Sequence, residues 1–225
     1  MAVRMILFLL PAMCGYMVAS AENIEPPAIE DILARADSVS RLGDSVRAET
    51  TIKFKLFSVM NRLNGDNAVK ESDTTIAVVT MKGEEEISRE IIYSSKNGDG
   101  KSKRGEKKAS FSFDDPAYNY SLTDSDESSY KISVVPKSSP PGEGEYAGTV
   151  EIDKQRFFLK RFDFDVPDPE GALKEFAIDM DFELLEGELL VPVEMKMRGF
   201  VKALMGIIRV RFSGEIRFSE YRILE

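Results

Sequence analysis

The sequence predicts a mainly β protein, a curved antiparallel half-barrel of about nine to eleven strands with one amphipathic helix packed on its concave side. Three observations carry this. After Val46 apolar and polar residues alternate through most of the chain, a period of two that sets one strand face on a core and the other in water. Short turn signals separate the runs, which suits hairpins rather than the long crossovers of parallel strands. A helical spacing of three and four occurs convincingly only once, between Ala28 and Val39.

The chain opens with Arg4, an apolar run from Met5 to Val18, and Ala19-Ser20-Ala21. A basic start, an apolar stretch and an A-x-A site make up a secretory signal peptide, so residues 1–21 are expected to be cleaved after Ala21. The run contains Pro11 and Gly15 and falls short of the roughly 20 apolar residues that span a bilayer. Cys14 is the only cysteine, and Met13 and Pro11 before it make a poor lipid-attachment box. A chain starting at Glu22 therefore has no thiol and relies on its core alone.

The helix comes next. Ile29, Ile32, Leu33, Ala36 and Val39 line one face, with Glu30, Asp31, Arg35 and Asp37 between them and Gly43 as an expected stop. The strands follow in order. Ile52, Phe54 and Leu56 alternate with Lys53 and Lys55; Ile76 with Val78, and Ile91 with Tyr93, mark two more runs. Tyr118 to Tyr120 and Tyr130 to Val134 pair across the turn at Asp124 to Glu127, and Tyr146 to Ile152 and Phe158 to Phe164 come after them. The clearest alternation is in the last three runs, Phe176 to Leu184, Val191 to Met197 and Ile208 to Phe218. Asn64-Gly65-Asp66, Asn97 to Gly100, Pro140-Pro141-Gly142, Val166 to Pro169 and Glu186-Gly187 punctuate them.

Composition excludes several functions. The formal charge is −9, and −10 once the single charge of the leader, Arg4, is removed, which argues against a nucleic-acid partner. There is no histidine, hence no Ser-His-Asp or Cys-His relay and no imidazole metal site. No pair of carboxylates is spaced to point at one another, so an enzyme is not expected, nor a cofactor.

A shape argument leads from strands to function. About nine or ten strands at roughly 4.8 Å spacing make a sheet more than about 40 Å wide. One helix about 10 Å across cannot cover its apolar face. Such a sheet must curl or double over, and a wide curl leaves room for a ligand among its Phe and Met side chains.

The order of these elements resembles the LolA-like superfamily, periplasmic lipoprotein-sorting and carrier proteins. The resemblance rests on the leader, the helix Ile29 to Asp37, a strand beginning Ser45 to Thr51, the run Tyr146 to Asp153, Leu190 to Glu194, and the ending Ile216 to Arg222. It implies a half-barrel whose concave face takes acyl chains and a periplasmic location; the stretch between Lys96 and Asp115, where the family would carry helical lid material, departs from its pattern. It also implies lipid or lipoprotein acyl chains as ligand and an inner- or outer-membrane envelope protein as a further partner. No individual ligand residue carries over. A sensor or assembly factor of the same fold, holding a protein partner by a sheet edge or loop, is the rival role. A monomer is expected.

Two candidate surfaces follow. The cavity set is Phe54, Leu56, Phe158, Phe162, Phe164, Phe176, Ile178, Met180, Phe182, Val193, Met195, Met197, Ile208, Val210, Phe212, Ile216 and Phe218, all apolar members of alternating runs. Any one of them alone reads as ordinary core; the hypothesis concerns the set. The second is the basic run Lys96, Lys101, Lys103, Arg104, Lys107 and Lys108, suited to anionic head groups or a partner, or simply solvated. Asp163, Asp165, Asp168 and Glu170 crowd one turn, but Pro167 and Pro169 interrupt it and calcium-loop spacing is missing, so no metal is expected there.

Overall fold

A computed structural model describes residues 27–224 except 97–112, 114, 143, 167–170 and 204–206. The expected leader, Lys101 to Lys108, Asp168 and Glu170 lie outside the described residues.

Among the described residues one helix, α1 (Ile29–Glu49), is followed by ten strands: β1 (Thr51–Leu63), β2 (Val69–Lys82), β3 (Glu85–Ser94), β4 (Tyr118–Ser125), β5 (Ser129–Pro136), β6 (Ala147–Asp153), β7 (Leu159–Val166), β8 (Leu173–Leu185), β9 (Leu189–Ala203) and β10 (Ile208–Leu224). They form one open antiparallel sheet in the order β3-β2-β1-β10-β9-β8-β7-β6-β5-β4, consistent with a curved half-barrel. Two meanders, β1 to β3 and β4 to β10, are joined where the first strand meets the last over Thr51 to Leu63. Hairpin turns alone do not give this order: β3 and β4 follow one another in sequence yet lie at opposite edges.

The helix, at 21 residues, is longer than the spacing from Ala28 to Val39 predicts and runs through Gly43, its expected stop. Ser45 to Glu49, read from the sequence as the start of a strand, are its last turn, and β1 begins at Thr51. Glu30 and Asp31 lie in the first turn and Arg47 in the last, each sign matching the helix dipole. Ala28 offers no side-chain cap, and its carbonyl accepts instead from the Asp31 and Ile32 amides at 3.0 and 3.2 Å.

The helix reaches two separate hydrophobic cores. Ile32 and Ala36 are buried with Ile132, Val134, Val150, Ile152 and Phe164 of β5 to β7. Val46, one turn past Gly43, packs on a second core of Ile52, Phe54, Ala77, Val79, Leu189 and Val191. The Arg47 guanidinium also donates to the Leu190 carbonyl. Gly43 therefore ends nothing: the contacts beyond it hold the last turn. Each fully buried aliphatic of the first core contributes about 1.5–3 kcal/mol.

Candidate functional site

Register places the apolar members of neighbouring strands in rows across the helix-facing side. Ile216 stands opposite Met195, Met195 opposite Met180, and Met180 opposite Phe162. The next row runs Met60, Gly214, Met197, Ile178, Phe164, Gly148, Val134, and the one beyond it Phe212, Gly199, Phe176, Val166. Three glycines in these rows give the large side chains space. A Cβ on Gly199 would lie 2.6 Å from the Phe212 ring, and one on Gly214 2.5 Å from Met60 Sδ. A Cβ on Gly148 would fall on the Asp163 carbonyl oxygen and 2.9 Å from the Phe164 ring. Glycine beside a large side chain lets a sheet bend sharply without opening a hole.

The cavity set divides by position. Phe162, Phe164 and Ile178 belong to the first core. Phe54, Leu56 and Phe218 belong to the second. Between the two lies a strip on β8, β9 and β10: Phe176, Met180, Phe182, Val193, Met195, Met197, Val210 and Phe212, all half-buried, with Ile216 buried among them and Ile208 at its exposed end. These residues pack in neither core. Phe158 belongs to neither as well; its neighbour Phe157, at a φ of 58°, turns into the first core and rests 6.2 Å from the Tyr130 ring. Alternation in the sequence does not register the left-handed residue that sends Phe157 into that core.

Aromatic rings wall the strip on the β4 side. Tyr118 stacks on Tyr146 at 4.6 Å, Tyr146 meets Phe164 at 4.5 Å, Phe164 stacks on Phe162 at 5.1 Å, and Phe162 meets Phe182 at 5.7 Å. Burial pushes the Tyr146 and Tyr221 hydroxyls well above the usual tyrosine range, so both stay neutral. On the opposite side Tyr221 donates to the Pro192 carbonyl at 2.5 Å, under the second core.

The other face of the sheet is charged. Arg161 pairs with Asp179 and lies 3.8 Å from Asp181, Arg217 lies 3.4 Å from Glu194, and Lys196 is 2.6 Å from Glu194. Asp165 meets Arg198 at 3.3 Å, and Asp163 stands opposite Asp179. No group of three His, Cys, Asp or Glu among the described residues could hold a metal. Lys96, the one described member of the basic run, is paired with Asp73.

Two of the hollows among the described residues border these elements. One of about 510 Å³ touches Phe176 and Phe212, but most of its wall, including Leu63, Glu175, Ala177, Arg198 and Arg211, lies by register on the charged face. The other, about 570 Å³, opens between α1 and β4, with Leu33, Phe113, Tyr118 and Tyr120 inside and Glu30, Asp37, Arg41 and Asp115 at its rim. Sequence reasoning missed this hollow; its signal was the Tyr118-Asn119-Tyr120 alternation beside the polar flank of the helix. Among the described residues no helix is long and apolar enough to cross a membrane.

No family model and no curated protein matches this chain. Solved structures do. It is 11% identical to a LolA superfamily protein from Nitrosomonas europaea, covering 87% of this chain and 93% of that one, with a TM-score of 0.34. It is 13% identical to a DUF1329 family protein from Desulfovibrio piger, covering 84% and 92%, with a TM-score of 0.35. A chain of the MucA/MucB complex of Pseudomonas aeruginosa is 10% identical, covering 83% and 94%, with a TM-score of 0.28. The group that the sequence resembles, the LolA superfamily, is thus among the solved structures to which this chain is similar.

Proposed function

We propose that this protein is a non-enzymatic periplasmic carrier or binding protein that shields an acyl chain or lipid moiety on the strip of β8 to β10. One observation supports the reading above the rest: a run of register-neighbouring Phe, Met and Val side chains stays half-buried between two packed cores. From Met195 to Val201, which stands opposite Val210, β9 runs for seven residues, roughly 20 Å of strand. Each methylene placed there would gain about 0.8 kcal/mol. Met suits contents of varied shape. The members of the strip are apolar, with Ser58 and Arg62 of β1 opposite Ile216 and Phe212 at its margin, so recognition would rest mainly on apolar contact.

The test is displacement of a fluorescent fatty acid, with native mass spectrometry of protein taken from an envelope extract. Met180→Arg and Phe212→Arg should each weaken uptake about tenfold or more, with the far-UV spectrum unchanged. Folded variants that bind as the parent does would refute the assignment. The rival role, a sensor or assembly factor that holds a protein partner, draws on the exposed edge strand β3.

A further inference from the structure

All ten residues of β3 are exposed, and among the described residues no strand pairs with its outer side. Edge strands of this kind are usually blunted by bulges, charge or proline. This one has two bulges, and each carries an isoleucine. Tyr93 faces Ile76 while Ile91 faces Ala77, leaving Ile92 as the extra residue. Ser88 faces Thr80 while Glu86 faces Met81, leaving Ile87 as the other. A bulged residue is released from the ladder and its side chain is re-aimed. Ile92 and Ile87 are 57% and 55% exposed, with Tyr93 at 51% and Ile91 at 46% beside them. The opposite edge, β4, has no large exposed apolar residue.

Charge narrows the choice of partner. Residues 84–90 hold Glu84, Glu85, Glu86 and Glu90 against Arg89 alone, whose guanidinium is held by Glu86 at 3.0 Å. A second copy of β3 would set one acidic strand against another, and like charges facing across strands are destabilising. A basic strand has no such conflict. Between the bulges, Ser88 to Ile91 keep regular pairing with β2, so their outer groups remain in strand geometry.

We propose that the outer edge of β3 is a docking strand for an extended, basic segment of another protein, with apolar residues at alternate positions that pack against Ile87, Ile91 and Ile92. Backbone pairing over Ser88 to Ile91 would supply affinity, and the carboxylates and bulged isoleucines selectivity. The inference is independent of the lipid strip.

The probe is an acetylated Lys-Val-Lys-Val-Lys-Val amide, titrated by calorimetry against the whole protein, with its Glu-Val counterpart as control. The basic peptide should bind about tenfold more tightly than the acidic one and weaken at about 0.5 M salt. Ile87→Ser with Ile92→Ser, and separately Glu85→Gln with Glu90→Gln, should each cost binding, while fatty-acid uptake is unchanged. Amide exchange should slow over residues 88–91 on adding the peptide. Equal binding by the variants, protection on β8 to β10 instead, or a dimer that already protects β3 would each overturn the proposal.

Discussion

Three glycine-to-alanine substitutions test whether the sheet bends as described, because the atoms that each new Cβ meets differ in how far they can yield. At Gly148 the neighbours are the Asp163 carbonyl and the Phe164 ring, the first of them backbone of the adjacent strand, which cannot move without breaking the β6–β7 ladder. Overpacking in a core costs about 1–3 kcal/mol, and a backbone clash belongs at or beyond the top of that range, about 3 kcal/mol. For a chain of this size each kcal/mol lowers Tm by about 2–4 °C, so a fall of roughly 6–12 °C is expected. At Gly199 the Phe212 ring at 2.6 Å can shift, but the Glu175 carbonyl at 2.9 Å cannot, which places the cost near 2 kcal/mol. At Gly214 the obstacles are Met60 and Met197, both flexible, so the loss should be about 1 kcal/mol or less, partly offset by a stiffer unfolded chain. Urea unfolding followed by circular dichroism gives all three values. A Gly148→Ala protein within about 1 kcal/mol of the parent, or a reversed order, would refute the reasoning.

Other outcomes follow from single residues. Ile32→Ala removes a side chain of 0% exposure and should cost about 2–5 kcal/mol in the same assay. Tyr221→Phe leaves the Pro192 carbonyl without its donor and should cost about 1 kcal/mol. Burial raises the Tyr221 pKa, so its contribution is complete below the unfolded value near 10 and is lost as pH rises beyond it; the alkaline loss should shrink in the phenylalanine variant. The Asp126 carboxylate accepts from the Ser128 and Ser129 amides at 2.6 and 2.7 Å and from both hydroxyls, which hold its pKa well below the usual range. That stabilisation is present above the unfolded value near 4 and is lost as pH falls below it. Asp126→Ala should therefore differ from the parent at neutral pH and converge with it in acid, as acid-unfolding titrations would record.

Strand identity was legible because burial on one face imposes a period of two, and Phe176 to Leu184 or Ile208 to Phe218 obey it in plain view. The pairing of β1 with β10 was not, since Phe57 and Arg217 lie 160 residues apart and no local rule links them. The helix was half legible: Ile29 to Ala36 face one core, whereas Val46 answers to a second core that only the sheet order brings within reach. Phe157 and Phe158 could not be told apart, because a left-handed residue between a turn and a strand leaves no mark in hydropathy. The strip was legible as a list of apolar residues and not as a place. Which of them are sealed and which stay half-open depends on where one rod crosses ten strands.

That crossing has a mechanical consequence. Nine inter-strand gaps of about 4.8 Å make an arc of roughly 43 Å, while α1, at 21 residues, is about 31 Å long. Fastened through Ile32 near one limb and Val46 near the other, it acts as the string of a bow whose stave is the sheet. The length of the string fixes how far the stave is drawn, so deleting one turn between Ala36 and Val46 would tighten the arc and narrow whatever it encloses, without altering a single residue of the wall.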